Sequence, residues 1–174
     1  MRIEPPSTLS PPWGSTPAWQ EANVSIDFHI KRYYLHLKPV IQLARDTQIR
    51  LESIFPCLDD ICKMTCTRCP DACCLSARPW YDWRDLIFLH LNQISIPPTQ
   101  TISDFKETCC YLSHRGCTLP RITRPWICTW YLCPAQTVNL RQKCVEQWQA
   151  LSRVLGEIKA LRKKLENDFI RVII

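Results

Sequence analysis

Residues 66–74 read CTRCPDACC and set Cys66, Cys69, Cys73 and Cys74 in a C-x2-C-x3-C-C spacing. A C-x2-C pair lets two thiolates converge on one metal through a tight turn. It leaves backbone N–H groups free to hydrogen-bond the sulfurs, as in zinc sites and iron–sulfur sites alike. Pro70 argues against a continuous helix through the run and for a ligand loop. Adjacent side chains point to opposite sides of an extended chain and about 100° apart on a helix. Cys73 and Cys74 therefore do not serve one tetrahedral ion together. Either the doublet stands between two metal positions, or one cysteine is a ligand and its neighbour is buried structure. Cys109 and Cys110 pose the same alternative.

Downstream, residues 109–134 read CCYLSHRGCTLPRITRPWICTWYLCP, with Cys109, Cys117, Cys128 and Cys133 as the natural distal set. The two segments together resemble the YkgJ-type cysteine-cluster family, described as a zinc- or iron-chelating domain. Its pattern is C-x2-C-x3-C-C, then C-x-aromatic-Leu, a Gly-flanked Cys, Arg-Pro-x-x-Cys, and a further Cys five residues on. Cys66, Cys69, Cys73 and Cys74 match the first part, and Cys109 with Tyr111 and Leu112 the second. Cys117 after Gly116, Cys128 after Arg124-Pro125, and Cys133 complete the match. The resemblance spans about residues 60 to 135 and implies a metal-binding domain with these eight cysteines as ligands. This chain departs from the family in having Leu119-Pro120 after the Gly-flanked cysteine, where an Ile-Tyr is usual, and Thr129 where an Arg is usual.

Sulfur-only ligation suits zinc or an iron–sulfur cluster and excludes calcium and magnesium, which take oxygen ligands. Cysteines packed within nine residues, and the Cys69-Pro70 and Cys133-Pro134 steps, are nearer to ferredoxin spacing than to two separated C-x-x-C pairs. The expected cofactor is an iron–sulfur cluster, with zinc as the alternative. Cys57, Cys62, Cys110 and Cys144 fall outside the matched set. Cys62, four residues before Cys66, can share its helical face as a substitute ligand, but a buried or surface thiol is the simpler reading. His114 reads as a solvated loop side chain, while Arg124, held by Pro125, is placed to hydrogen-bond a thiolate or an acidic partner.

The chain has 174 residues, 3 Gly, 14 Pro and 12 Cys. Gly14, Gly116 and Gly156 are isolated, so no glycine-rich nucleotide loop can be drawn, and no Ser-His-Asp set or H-E-x-x-H helix supports catalysis. A methyltransfer or redox enzyme stays in view only because the cysteine cluster is similar to that of flagellin lysine methylases, which are longer. The formal charge of +6 hints at nucleic acid, with Arg121, Arg124, Trp126 and Trp130 near the cysteines. Eight thiolates with two zinc ions would lower the charge to about +2, which disfavours that partner. Residues 1–20 lack the apolar segment of a signal peptide, and the longest apolar stretch, LIFLHL at 86–91, is too short to span a bilayer. A cytoplasmic protein with reduced thiols is expected, binding a metal ion or cluster, with room for an unknown protein partner and none for a membrane.

Residues 1–22 read as a Pro-rich flexible leader, and 23–174 as one cysteine-cluster metal-binding domain ending in an amphipathic helix. β-branched and aromatic residues over 23–37 favour a strand or extended segment. Helical spacing of Val40, Ile41, Ala44, Gln48, Leu51 and Phe55 predicts a helix over 39–54, ended by Phe55-Pro56. A second helix is expected over 82–95, capped by Asp82, and a third over 141–168. The third carries Val145, Trp148, Leu151, Leu155, Ile158, Leu161 and Leu165 inward, and Arg153, Lys159, Arg162, Lys163 and Lys164 outward. The expected fold is mostly α: a small single domain with helices packed around two cysteine-rich metal-binding loops.

Overall fold

The computed structural model describes residues 11–66, 69, 73–114, 116–143 and 145–174, and for Cys73 and Lys143 the backbone alone. The protein is mostly α-helical. Helices α1 (Thr16–Arg32), α2 (Lys38–Thr65), α3 (Cys73–Ser76) and α4 (Trp83–Leu91) precede a two-stranded ribbon, β1 (Leu112–Ser113) and β2 (Gly116–Cys117). A 3-10 turn at Arg121–Thr123 leads to α5 (Ile127–Trp130), α6 (Pro134–Lys143) and α7 (Val145–Ile173). The long helices α2 and α7 pack on each other, α4 lies against α7, and α1 covers α4.

Residues 23–37 are not extended. Trp19, Ala22 and Ile26 are buried, with Ile30 packed against the same core, and steps of three and four residues are the period of a helix face. The β-branched and aromatic residues that suggested a strand include Val24 and Phe28, which lie on the solvent side, 69% and 54% exposed. Of the segment expected as a flexible leader, residues 1–10 lie outside the described residues and residues 16–22 belong to α1. Ser15 caps α1 by accepting from Ala18 N–H, Pro17 sits in the first turn, and Trp19 is wholly buried with its indole N–H donating to Pro97 O at 3.0 Å.

Helix α2 runs eleven residues past the expected stop, with Pro56 inside it. Proline removes one i→i−4 hydrogen bond, here the bond to the carbonyl of Glu52. Glu52 is on the exposed side, where water can take that carbonyl. Leu51, Ile54, Leu58 and Ile61 keep one buried stripe through the proline, and their burial outweighs the lost bond. Cys57 and Cys62 therefore lie on a helix and Cys66 caps its end, so the first cysteine-rich segment is not a loop until after Cys66.

Helix α4 begins as expected. Asp82 accepts from Asp85 N–H at 2.8 Å while Asp85 accepts from Asp82 N–H at 3.0 Å, a reciprocal cap. The third expected helix starts earlier, with α6 and α7 on either side of Cys144, which lies outside the described residues. Along α7, Leu151, Ile158, Leu165 and Phe169 are buried as periodicity requires, while Val145 is exposed. Arg162, expected on the basic outer face, is buried instead. It pairs with Asp85 at 2.8 Å and Asp82 at 3.0 Å, and its guanidinium lies over the Trp126 ring. The buried carboxylate of α4 draws it inward, since a charge at such depth must be paired.

Candidate metal centre

Three of the four distal cysteines, Cys109, Cys117 and Cys128, come near one another. Cys110 N–H donates to Thr101 O, and Thr118 N–H to Tyr111 O, which fixes the chain on both sides of the ribbon. Within the ribbon, Leu112 faces Cys117 and Ser113 faces Gly116. Gly116 has φ 101°, a left-handed conformation that suits glycine and lets the strand return within a few residues. This hairpin carries Cys117 back beside Cys109. The backbone N–H groups of Tyr111 and Leu112 lie near the Cys109 thiol and favour its ionised form, and Leu112 N–H donates to Cys109 O at 3.1 Å.

Cys128 comes to the same place on α5. Trp126 N–H donates to Asp85 Oδ1 at 3.0 Å, and Cys128 N–H to Pro125 O at 2.9 Å, so this helical turn is anchored on α4. The segment before it is held by the buried Tyr81, whose hydroxyl donates to Thr123 O. Cys128 keeps some solvent-exposed surface, yet the groups around its thiol raise its pKa to about 12. Burial is the largest cause, followed by Cys109, Cys117 and Cys74, while Arg124 opposes them. Cys109 is likewise pushed up, first by burial and then by Cys110 and Cys117, while the backbone N–H groups of Tyr111 and Leu112 oppose the rise.

Four cysteines form a tetrad centred on Cys128: Cys74, Cys109 and Cys117 each lie near enough to act electrostatically on its thiol, and Cys117 acts on Cys109 as well. They come from α3, the loop before β1, β2 and α5. Among the described residues no three His, Cys, Asp or Glu side chains close tightly enough to hold an ion as they stand. Ligation at the tetrad therefore requires the sulfurs to draw together. The second doublet is split in the way that adjacent side chains demand. Cys109 joins the tetrad, while Cys110 donates its S–H to Gln100 O at 3.5 Å and lies beside Thr99. Of the first doublet, Cys74 joins the tetrad, and the side chain of Cys73 lies outside the described residues.

The remaining candidates lie elsewhere. Cys66 ends α2, and Cys69 N–H donates to Cys66 O at 3.3 Å. Cys133 precedes α6, and its N–H donates to Gln136 Oε1 at 3.1 Å. Gln136, buried and absent from the sequence expectations, turns its amide nitrogen to Cys62 Sγ at 3.6 Å and Cys66 Sγ at 3.5 Å. Arg121 adds an N–H to Cys62 Sγ at 3.8 Å while its Nε donates to Asp59 at 2.7 Å. Nothing in the sequence marks Gln136. The i, i+4 spacing of Cys62 and Cys66 was its only available signal.

Arg124 donates to Leu119 O at 3.1 Å and holds its charge near Cys128. His114 is exposed. Arg121, Arg124 and Trp126, the residues that suggested nucleic acid, are engaged in these internal contacts, leaving Trp130 beside Tyr131 as the exposed aromatic pair. Among the described residues no helix is long and apolar enough to cross a membrane. No family model, curated protein or solved structure matches the chain. The likeness to the YkgJ-type pattern accordingly stands on the cysteine motif itself.

Proposed function

We propose that the protein is a cytoplasmic metal-binding protein whose cysteines hold an iron–sulfur cluster, with a role in redox chemistry or metal handling. Zinc is the alternative occupant. The observation that carries the reading is that Cys74, Cys109 and Cys117, from three separate segments, come close enough to act on the thiol of Cys128 on a fourth. Grouping thiols beside one another, with burial opposing the ionisation of Cys109 and Cys128, has no packing advantage over apolar side chains. A cation that takes thiolates reverses the penalty, because coordination deprotonates the thiol and neutralises the charge. Cys66, Cys69, Cys73 and Cys133 are the ligands the motif leaves for a second position.

The chain's own groups have definite parts in this reading. The N–H groups of Tyr111 and Leu112 favour the ionised form of Cys109, Arg124 offsets charge at Cys128, and Asp85 and Tyr81 hold the segment that carries Cys128. A cluster would supply electron transfer tuned by those N–H groups and by burial. Zinc in a closed four-thiolate site would supply structure alone, making the protein a scaffold for a partner. The test is iron, zinc and acid-labile sulfide content with an absorbance spectrum, on protein purified without oxygen. Iron and sulfide in equal amounts support the cluster, and zinc in a colourless sample supports the scaffold. Protein that holds neither metal, and takes up neither on reconstitution, overturns the reading.

A further inference from the structure

Cys62 lies outside the eight-cysteine motif, and its surroundings are unusual for an idle thiol. Gln136 is 4% exposed, and its amide nitrogen addresses two sulfurs, Cys62 Sγ in the last turn of α2 and Cys66 Sγ at its C-cap. A buried amide donor requires acceptors, and a neutral thiol is a weak one. A thiolate is a strong one, since hydrogen bonds to ionised acceptors are about twice as strong as neutral ones. The other side of Cys62 meets Arg121, whose side chain is 10% exposed and whose charge is shared with Asp59. Three N–H···S contacts from two nearly buried polar side chains thus converge on two sulfurs one helical turn apart.

We propose that Cys62 and Cys66 are paired ligands of a thiophilic metal ion such as zinc, at a position separate from the Cys74–Cys109–Cys117–Cys128 tetrad, with Gln136 and Arg121 as positioning residues for the bound sulfurs. This rests on the reading of the protein as a thiolate metal binder and extends it by a ligand that the motif does not contain. The helix fixes the pair. Residues i and i+4 lie on one face, so both sulfurs are presented to one point without a loop having to order. Each thiol gives up its proton as the ion binds, and the Gln136 amide then meets a charged acceptor, with the Arg121 guanidinium shared between Asp59 and Cys62.

The experiment is zinc binding by the full chain, reduced and demetallated, with zinc alone as the probe. Cys62→Ser and Cys110→Ser are compared with the unaltered protein, with circular dichroism confirming helix content. The expected result is one zinc per chain fewer for Cys62→Ser and no change for Cys110→Ser. Should Cys62→Ser fail to fold, alkylation of the unaltered protein with iodoacetamide, read by peptide mass spectrometry, serves instead. Cys62 should then be protected at least tenfold by zinc. Full stoichiometry in folded Cys62→Ser, or alkylation of Cys62 indifferent to zinc while the tetrad cysteines are protected, overturns the assignment of Cys62 and leaves the tetrad standing. No zinc uptake and no protection anywhere in the unaltered protein would overturn the Cys62–Cys66 site, while the tetrad is overturned only if iron and sulfide fail to load as well.

Discussion

Replacing Arg162 with Met removes the cation from a carboxylate that has nowhere else to discharge its cost. Arg162 and Asp85 are 4% and 5% exposed at their side chains and 2.8 Å apart. Breaking such a buried pair from one side costs about 3–5 kcal/mol, because the partner is left charged and desolvated. That is a large share of the roughly 5–15 kcal/mol by which a domain is stable. Burial already pushes the Asp85 carboxyl up to about 6 from its ordinary 3.8, against the pull of Arg162. An acid held protonated more tightly in the folded than in the unfolded state favours folding fully below pH 3.8. That contribution is lost as pH rises through about 6. Without Arg162 the carboxyl rises further, so the damage should be greater at pH 7.5 than at pH 5. Urea unfolding at both pH values measures it. Asp85→Asn keeps an acceptor for Trp126 N–H and removes the charge. The double variant should therefore recover part of the loss, with a coupling of about 2 kcal/mol, within the range for residues in contact. A loss below about 1 kcal/mol for Arg162→Met at pH 7.5, equal at both pH values, would refute the argument that the pair is a buried charge in need of its partner.

His90 lies against Asn23, 2.9 Å from its side-chain oxygen, and burial lowers its pKa below the usual 6.5. The unfolded chain then takes the proton more readily, so this residue's contribution is present above pH 6.5 and lost as pH falls below it. His90→Gln should flatten that part of the stability profile, measured by urea titration from pH 5 to 8. Trp19→Ala should cost about 3–5 kcal/mol in the same assay, from the cavity and the orphaned Pro97 carbonyl. Cys128→Ser should lower metal content and melting temperature together, since metal binding and folding are linked. Cys110→Ser should leave metal content unchanged, because its sulfur is turned to Gln100 and Thr99.

The mostly helical class and the cap at Asp82 could be read directly, because period and capping chemistry are local. The misread elements show where local signals stop. Val24 and Phe28 carry strand-like side chains on the outside of a helix, and only the spacing of Trp19, Ala22 and Ile26 betrays it. Pro56 is tolerated because the buried stripe of α2 continues on its far side, a tertiary effect that no dipeptide rule contains. Arg162 looks like one more basic residue of an outer face until Asp85 of another helix is seen beneath it. The motif identified the cysteines but not their grouping. Cys74 is brought to Cys128 across 54 residues of chain by packing, and Gln136 enters through a fold contact alone.

The same packing couples the core to the thiols. Asp85 uses one oxygen for Arg162 of α7 and for Trp126 N–H, two residues before Cys128, and the other for the cap of α4. A change at this carboxylate therefore moves the α4–α7 contact and the Cys128 turn together. Binding energy gained at the tetrad must run the other way, tightening α5 against α4 and α7, because whatever binds only the folded state stabilises it. If the tetrad holds metal, the Arg162→Met penalty should be smaller in metal-loaded protein measured against its own reference than in stripped protein. In loaded protein the turn is held from both sides. Equal penalties in the two forms would mean that the tetrad and the buried pair act independently, and that Asp85 serves the helices alone.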